Sequence, residues 1–239
     1  MKTFLKKYIP SWLKLVIRKY RYRPTQSPFV NKTARETFTA IYQTNFWHGK
    51  GSISGQGSDL QSTQVVIGAI DSLIQELNIS SMLDIPCGDF HWMQHVNLTG
   101  LSYIGGDIVT ELIEHNKKKY EQKPHILFEE LNLLEDNLPM VDLLFVRDCF
   151  VHFSYRDFHQ AMQHIINSKS TYLLTTSFPK HRLNYDIVTG DWRAINLQLK
   201  PYNFPPPLRI INEHKEHTTS DKSLVLWKIT DLAHNITPS

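Results

Sequence analysis

Several things are scarce in this chain, and each scarcity excludes something. There are two cysteines in 239 residues, Cys87 and Cys149. Two cannot make a disulfide framework, and both lie in or beside apolar, strand-like runs, which points to reduced thiols in a cytoplasmic setting. No apolar run is long enough to span a bilayer. No internal repeat and no low-complexity tract is present, so solenoid and fibrous classes are set aside. Glycine is sparse, at 10 residues, and its scarcity at one turn bears on which ligand that turn accepts. Acidic residues are absent from residues 1–23, which carry Lys2, Lys6, Lys7, Lys14, Arg18, Lys19, Arg21 and Arg23.

What is present fits a single globular domain with extensions. The formal net charge is +3, but residues 24–239 hold 18 Lys and Arg against 23 Asp and Glu, a net of −5. A mildly acidic body thus follows a basic N-terminal segment. In that segment Phe4, Leu5, Tyr8, Ile9, Trp12, Leu13, Leu15, Val16 and Ile17 interleave with the basic residues. This pattern suits either a helix packed on the body or peripheral contact with an anionic membrane surface, at the inner face for a cytoplasmic protein. No cleavable signal is apparent. No nucleic-acid recognition motif follows the basic residues, so nucleic acid is not an expected partner.

The organisation reads as three parts: a basic amphipathic segment over 1–30, a helical cap with a Gly/Ser loop over 31–80, and the main domain over 81–239. Residues 32–46 are helix-compatible, residues 47–58 are a Gly/Ser loop, and a helix is expected from Asp59 to about Leu77. Strands are expected at 81–85, 102–107, 125–131, 141–146 and 171–176, with helices at 110–120 and 155–167. This alternation predicts an α/β fold, a seven-stranded, mostly parallel Rossmann-like sheet with helices on both faces. Two late strands, 208–212 and 223–230, lack a helix between them and predict an antiparallel C-terminal strand. Residues 178–207 are irregular and contain five prolines; a loop of this length points to a functional lid over 177–207.

The most informative stretch is Met82-Leu83-Asp84-Ile85-Pro86-Cys87-Gly88-Asp89-Phe90. An apolar strand ends in an acid, a tight turn follows, and the next strand ends in Asp107. In an open α/β sheet this arrangement presents a nucleoside-bearing cofactor, with the second acid on the ribose hydroxyls. A nicotinamide dinucleotide needs three glycines so that its pyrophosphate can reach a helix N-terminus. This turn has one glycine, and phosphates there would meet Asp84 and Asp89. A cationic, phosphate-free cofactor suits the acids.

On these residues the chain resembles the class I S-adenosylmethionine (SAM)-dependent methyltransferases. Residues 84–90 align on their Asp/Glu-x-Gly-x-Gly-x-Gly motif, with Pro86 and Phe90 in place of the first and third glycines. Within that family it is similar to a bacterial subgroup. The shared residues are Trp47 with Ser54-Gly55-Gln56-Gly57-Ser58, the Asp84–Met93 stretch, Gly190 to Leu197, and Pro201 to Pro207. The resemblance covers roughly residues 40–230.

The resemblance implies SAM as cofactor and methyl transfer as the reaction. Asp84, Pro86, Cys87 and Gly88 fall at the turn, Asp107 and Ile108 at the ribose, and Leu131 and Asn132 at the adenine. Arg147 and Asp148 fall at the methionine end. Trp47, Gly55, Gly57 and Ser58 would form a lid over the cofactor. His152, just past the fourth strand, is the candidate base, and Asp148 would orient the acceptor. Tyr185, Asp186, Trp192, Arg193 and Asn196 are candidates to read a small polar acceptor, with a sugar or surface-polysaccharide precursor and oxygen methylation expected. The alternatives are a catalytically inactive SAM-binding scaffold or sensor, and an NAD-dependent sugar-modifying enzyme. His91 and His95 are four apart on an expected helix. They lack the Glu of the zinc-protease motif and a third ligand, so no metal site is expected.

Overall fold

The computed structural model describes residues 16–17, 19–123, 125–213 and 221–233. The basic segment, expected either to pack on the body or to contact a membrane surface, lies largely outside the described residues. Among those described, no helix is long and apolar enough to cross a membrane.

Helix α1 (Ala34–Thr44) starts in a full capping box: the Thr33 side chain accepts from the Glu36 N–H, and the Glu36 carboxylate accepts from the Thr33 N–H. Helix α2 (Leu60–Glu76) follows the Gly/Ser loop and buries Val66, Ile70 and Leu73 at helical spacing. Then come β1 (Ser81–Asp84), β2 (Ser102–Asp107), α3 (Thr110–Lys119), β3 (Ile126–Glu130), β4 (Leu143–Val146), α4 (Tyr155–Asn167), β5 (Tyr172–Ser177), β6 (Arg209–Asn212), β7 (Ser223–Lys228) and the single turn α5 (Ile229–Leu232). The sheet has seven strands in the order β3-β2-β1-β4-β5-β7-β6. All neighbours pair in parallel except β7, which lies antiparallel between β5 and β6. The expected Rossmann-like sheet and its antiparallel C-terminal strand are both present.

β4 shows why a strand buried on both faces reads as an unbroken apolar run. Leu143 and Phe145 join the cluster that contains Val66 and Ile70 of α2. Leu144 and Val146 join the opposite cluster with Phe158, Ala161, Met162 and Ile165 of α4. Alternation survives, but each side is apolar because each is covered. The irregular stretch after β5 is far from a loose lid along its whole length: Ile195, Leu197, Tyr202 and Phe204 are buried in the α4-side core.

One expected element is missing. No α-helix follows β1, so His91 and His95 do not share a helical face; a 3-10 turn covers Met93–His95. The cause is Phe90. Its backbone is left-handed at φ 55°, and its ring is clamped among Tyr103, Tyr120 and Phe128 at centroid distances of 5.3, 4.9 and 5.3 Å. Packing of that ring overrides helix propagation, because a left-handed non-glycine residue cannot continue a right-handed helix. Met93 and Trp92 instead pack directly into the core on the α2 side.

This two-sided burial predicts a sharp contrast along the sheet. Leu144→Ala, at a fully buried site, lowers unfolding stability by about 3 kcal/mol in urea titrations. Leu127→Ala on β3, where the side chain is 51% exposed, changes it by less than about 0.5 kcal/mol.

Candidate active site

The strand order reverses between β1 and β4, and a cleft opens at the carboxyl ends of these strands, where an open α/β sheet binds ligands. Its floor is the turn after β1. Asp84, Pro86, Cys87 and Gly88 line it, joined by Asp107 and Ile108 at the end of β2, Leu131 and Asn132 just after β3, and Arg147, Asp148 and His152 after β4. Trp47, Ser54 and Ser58 of the Gly/Ser loop and Phe38 of α1 form the roof.

The turn is built around Gly88. Its φ of +55° is left-handed, and a Cβ there would come 2.2 Å from Ser54 Oγ. Only a residue without a side chain meets both conditions at this position. The Ser54 hydroxyl accepts from the Asp89 N–H at 3.1 Å. The Asp89 carboxylate in turn accepts from Ser52 Oγ at 2.9 Å and the Ile53 N–H at 3.0 Å. The Gly/Ser loop is therefore hydrogen-bonded to the turn after β1. Asn116 of α3 donates to the Gly88 carbonyl at 2.7 Å.

Two carboxylates sit out of water on this floor. Asp84 accepts from the Tyr103 hydroxyl at 2.7 Å. Burial pushes its carboxyl up to about 7, against the lowering effect of that hydrogen bond. Asp107 accepts from the N–H groups of Val109 at 3.0 Å and Gly88 at 3.2 Å, and burial still raises it to about 6. Burial is the dominant cause in both cases. Arg147, whose field reaches Asp84, makes its hydrogen bonds to other groups. It donates to Glu213 Oε2 at 2.6 Å and to the Gly57 carbonyl at 2.9 Å, and it pairs with Asp148 at 3.3 Å. Its guanidinium also lies 5.3 Å from the centre of the Trp92 ring.

Asp148 behaves differently from the other two. Burial works to raise it, but Lys222 Nζ at 2.6 Å and Arg147 together hold it down at about 2. Its backbone is left-handed at φ 54°, and its N–H donates to Thr176 Oγ1 at 2.9 Å. The site thus holds one permanent anion beside two carboxylates whose charge depends on what binds.

His152 ends a 3-10 turn, Phe150–His152, just after β4. Its Nδ1 lies 2.9 Å from the Asp191 carbonyl oxygen. A carbonyl only accepts, so Nδ1 carries the proton and Nε2 is left with a lone pair. Burial lowers the imidazole's affinity for a second proton, which favours the neutral ring near pH 7. The Trp47 ring stacks on it at 4.9 Å between centroids.

The remaining residues named from sequence are placed as follows. Asn132 lines the cleft, and its side-chain oxygen accepts from the Leu134 N–H at 3.0 Å. Gly55 and Gly57 lie behind the lining in the roof loop, where Gly55 packs on Trp47 and Gly57 faces Asp148. Tyr185, Asp186, Trp192, Arg193 and Asn196 do not line the cleft. Arg193 is fully buried and donates to the Tyr202 hydroxyl at 2.6 Å and to the carbonyls of Phe150 and Val151. Asn196 bonds the backbone of Pro179, His181 and Gln198. Asp186 accepts from the Tyr155 and Ile187 N–H groups. Tyr185 is buried against Tyr22. Trp192 is exposed, edge-on to Phe178. A polar residue in an irregular segment looks like a ligand reader, but four of these five are spent on holding that segment's own backbone or core. Sequence reasoning missed Tyr103, Glu213 and Lys222. Glu213 and Lys222 lie 66 and 74 residues from their partners, and no local pattern marks them. No cluster of metal-ligating side chains occurs among the described residues.

No known family model and no curated protein sequence matches this chain. Solved structures do match its fold. Magnesium protoporphyrin IX methyltransferase from Synechocystis PCC 6803, with bound SAM, superposes with a TM-score of 0.58 and 11% identity over 83% of this chain and 98% of that one. Human N-acetylserotonin methyltransferase in complex with SAM gives 0.60 and 16% over 91% of this chain and 66% of that one. The N-methyltransferase NodS from Bradyrhizobium japonicum WM9, in complex with S-adenosyl-L-homocysteine, gives 0.56 and 10% over 79% and 97%. The chain therefore has the Rossmann-like fold of the SAM-dependent methyltransferases.

The raised carboxyls make a stability prediction. An acid whose pKa is higher folded than unfolded binds more protons when folded, so the ligand-free protein loses stability as pH rises from about 4 to about 7. Asp84→Asn removes the larger contribution. Thermal melts without ligand show a shallower fall across that window, and at pH 8 the variant melts about 3–6 °C above the parent chain.

Proposed function

We propose that this protein is a SAM-dependent methyltransferase of the bacterial subgroup marked by Asp84 to Met93. The observation that carries the reading is the pair of carboxylates, Asp84 and Asp107, buried on the cleft floor at the ends of adjacent strands. A ligand with a sulfonium and an ammonium supplies positive charge to them. A dinucleotide pyrophosphate would add two negative charges to a floor that already holds Asp84, Asp89 and Asp107, which disfavours NAD.

The residues present fit the cofactor. Asp107 and the neighbouring Ile108 suit the ribose hydroxyls, and Leu131 with Asn132 suits the adenine. Asp84, Pro86, Cys87 and Gly88 face the methionine end, roofed by Trp47 and Ser58 with Gly55 and Gly57 behind them. Bound SAM supplies an electrophilic methyl group. The chain's own part is to hold the acceptor and take its proton. Nε2 of His152 is the unprotonated nitrogen of a buried, neutral imidazole, suited to receive a hydroxyl proton. Asp148, ionised throughout the working pH range, accepts hydrogen bonds from the acceptor and orients it. Trp47 and the roof loop exclude water.

The acceptor in this reading is a small polar molecule methylated on oxygen, such as a sugar or surface-polysaccharide precursor. A neutral base beside a fixed anion supports a polyhydroxyl acceptor. Of the five residues first assigned to the acceptor, Trp192 is the exposed aromatic, which supports it as the one to stack on such a ligand. The reading locates the enzyme in the cytoplasm, with residues 1–23 as a contact to the inner membrane face.

Titration calorimetry with SAM and with NAD tests the core of this reading: SAM binds and NAD does not. Absence of SAM binding, or tighter binding of NAD, overturns it. SAM affinity rises between about pH 5.5 and 8 as Asp107 and Asp84 ionise. With an acceptor found by screening sugars and nucleotide sugars, His152→Ala lowers turnover at least about 100-fold and leaves SAM affinity within about twofold. Intact turnover in that variant removes His152 as the base.

A further inference from the structure

The tautomer of His152 depends on one carbonyl, and that carbonyl belongs to a loop held from two sides. On the inner side the Gly190 N–H donates to the His152 carbonyl at 2.8 Å, and the Arg193 N–H to the Val151 carbonyl at 3.0 Å. On the outer side the Asp191 carboxylate is gripped by the segment that precedes α1. The Tyr22 hydroxyl donates to Asp191 Oδ2 at 2.7 Å, and Ser27 Oγ donates to Oδ1 at 3.1 Å. The Tyr22 oxygen also accepts from the Val188 N–H at 2.7 Å, so one phenol ties both ends of the 188–191 turn. Gly190 has φ +106°, and a Cβ there would come within 2.6 Å of both Thr37 and Phe29. The turn is therefore pressed against the N-terminal strap and α1.

We propose that Tyr22 and Asp191, with Ser27, are positioning residues that hold the Asp191 carbonyl against Nδ1 of His152 and so keep Nε2 bare toward the cleft. The N-terminal strap is then a working part of the catalytic unit, 130 residues in sequence from the histidine it orients. This inference rests on the methyltransferase reading for its consequence in turnover, but the positional claim stands on the hydrogen bonds alone. Asp148 and Arg193 are the charged groups whose fields reach His152. Neither touches Nδ1, so neither selects the tautomer. If the strap shifts, the Asp191 carbonyl is free to rotate away, and Nδ1 loses its acceptor.

Two-bond proton–nitrogen correlation spectra of the full-length, 15N-labelled protein test this without any acceptor. The His152 signals are assigned by comparison with His152→Gln. The unmodified chain shows a protonated Nδ1 and a bare Nε2, whereas Tyr22→Phe and Asp191→Ala show averaged shifts of mixed tautomers. Asp191→Asn, which keeps an acceptor oxygen for Tyr22, retains most of the parent pattern. In methyl transfer, Tyr22→Phe lowers kcat about tenfold with KM for SAM unchanged. A protonated Nε2 in the unmodified protein overturns the proposal, and so does an unchanged pattern in both Tyr22→Phe and Asp191→Ala. If the tautomer responds as stated while no SAM binding is detected, the relay stands and the methyltransferase reading fails.

Discussion

Removing a carboxylate from water without giving it a full counter-charge is costly, and this structure does so at Asp84. The strand end carries the side chain into the cleft floor, Tyr103 beneath it supplies a single neutral donor, and Arg147 is drawn off toward Glu213 and Asp148. Much of the site follows from that imbalance. Asp107 adds a second deficit one strand away. The roof loop is fastened by Asp89 rather than by either of these acids, so their charge stays available. The folded chain carries that cost at the cleft floor.

The sheet makes the imbalance possible. β1 and β4 sit at its centre, both faces covered, with α2 on one side and α4 on the other. Only rigid strands buried in this way hold side chains in a place where solvation is so poor. The turn after β1 then departs from the helical crossover expected of such folds. Phe90 dives into an aromatic cluster, and the chain reaches β2 through turns. The cleft keeps its backbone N–H groups and its single indispensable glycine without needing a helix N-terminus aimed at the ligand. A phosphate-binding site would have required one.

The sheet and the cleft floor were legible in the sequence because their signals are local. Strand-ending acids, the turn around Gly88 and the apolar run of β4 each declare themselves within a few residues. The 102–107 strand and the 155–167 helix match the structure residue for residue. Where the reading failed, the deciding contacts are distant or the residue type is ambiguous. Phe90 looks like any aromatic after a turn until its three partners, 13 to 38 positions away, are in place. Arg193 looks like a ligand reader because burying a guanidinium is costly, yet Tyr202 and two carbonyls satisfy most of it. Glu213 and Lys222 carry no local signature, and the network that fixes the charge of Asp148 is invisible before the last strands are placed.

Those last strands have a consequence for how the protein comes into being. β6 pairs only with β7, and β7 is the strand that meets β5. Residues 209–212 therefore have a place in the sheet only once 223–228 lie between them and β5. Lys222 stands at the threshold of β7. Without it, Asp148 keeps Arg147 and the field of His152, and the cleft carries a different balance of charge. The ion pair at Asp148 thus closes only when the last strand of the sheet is in place, so the charge of the cleft is tied to completion of the fold.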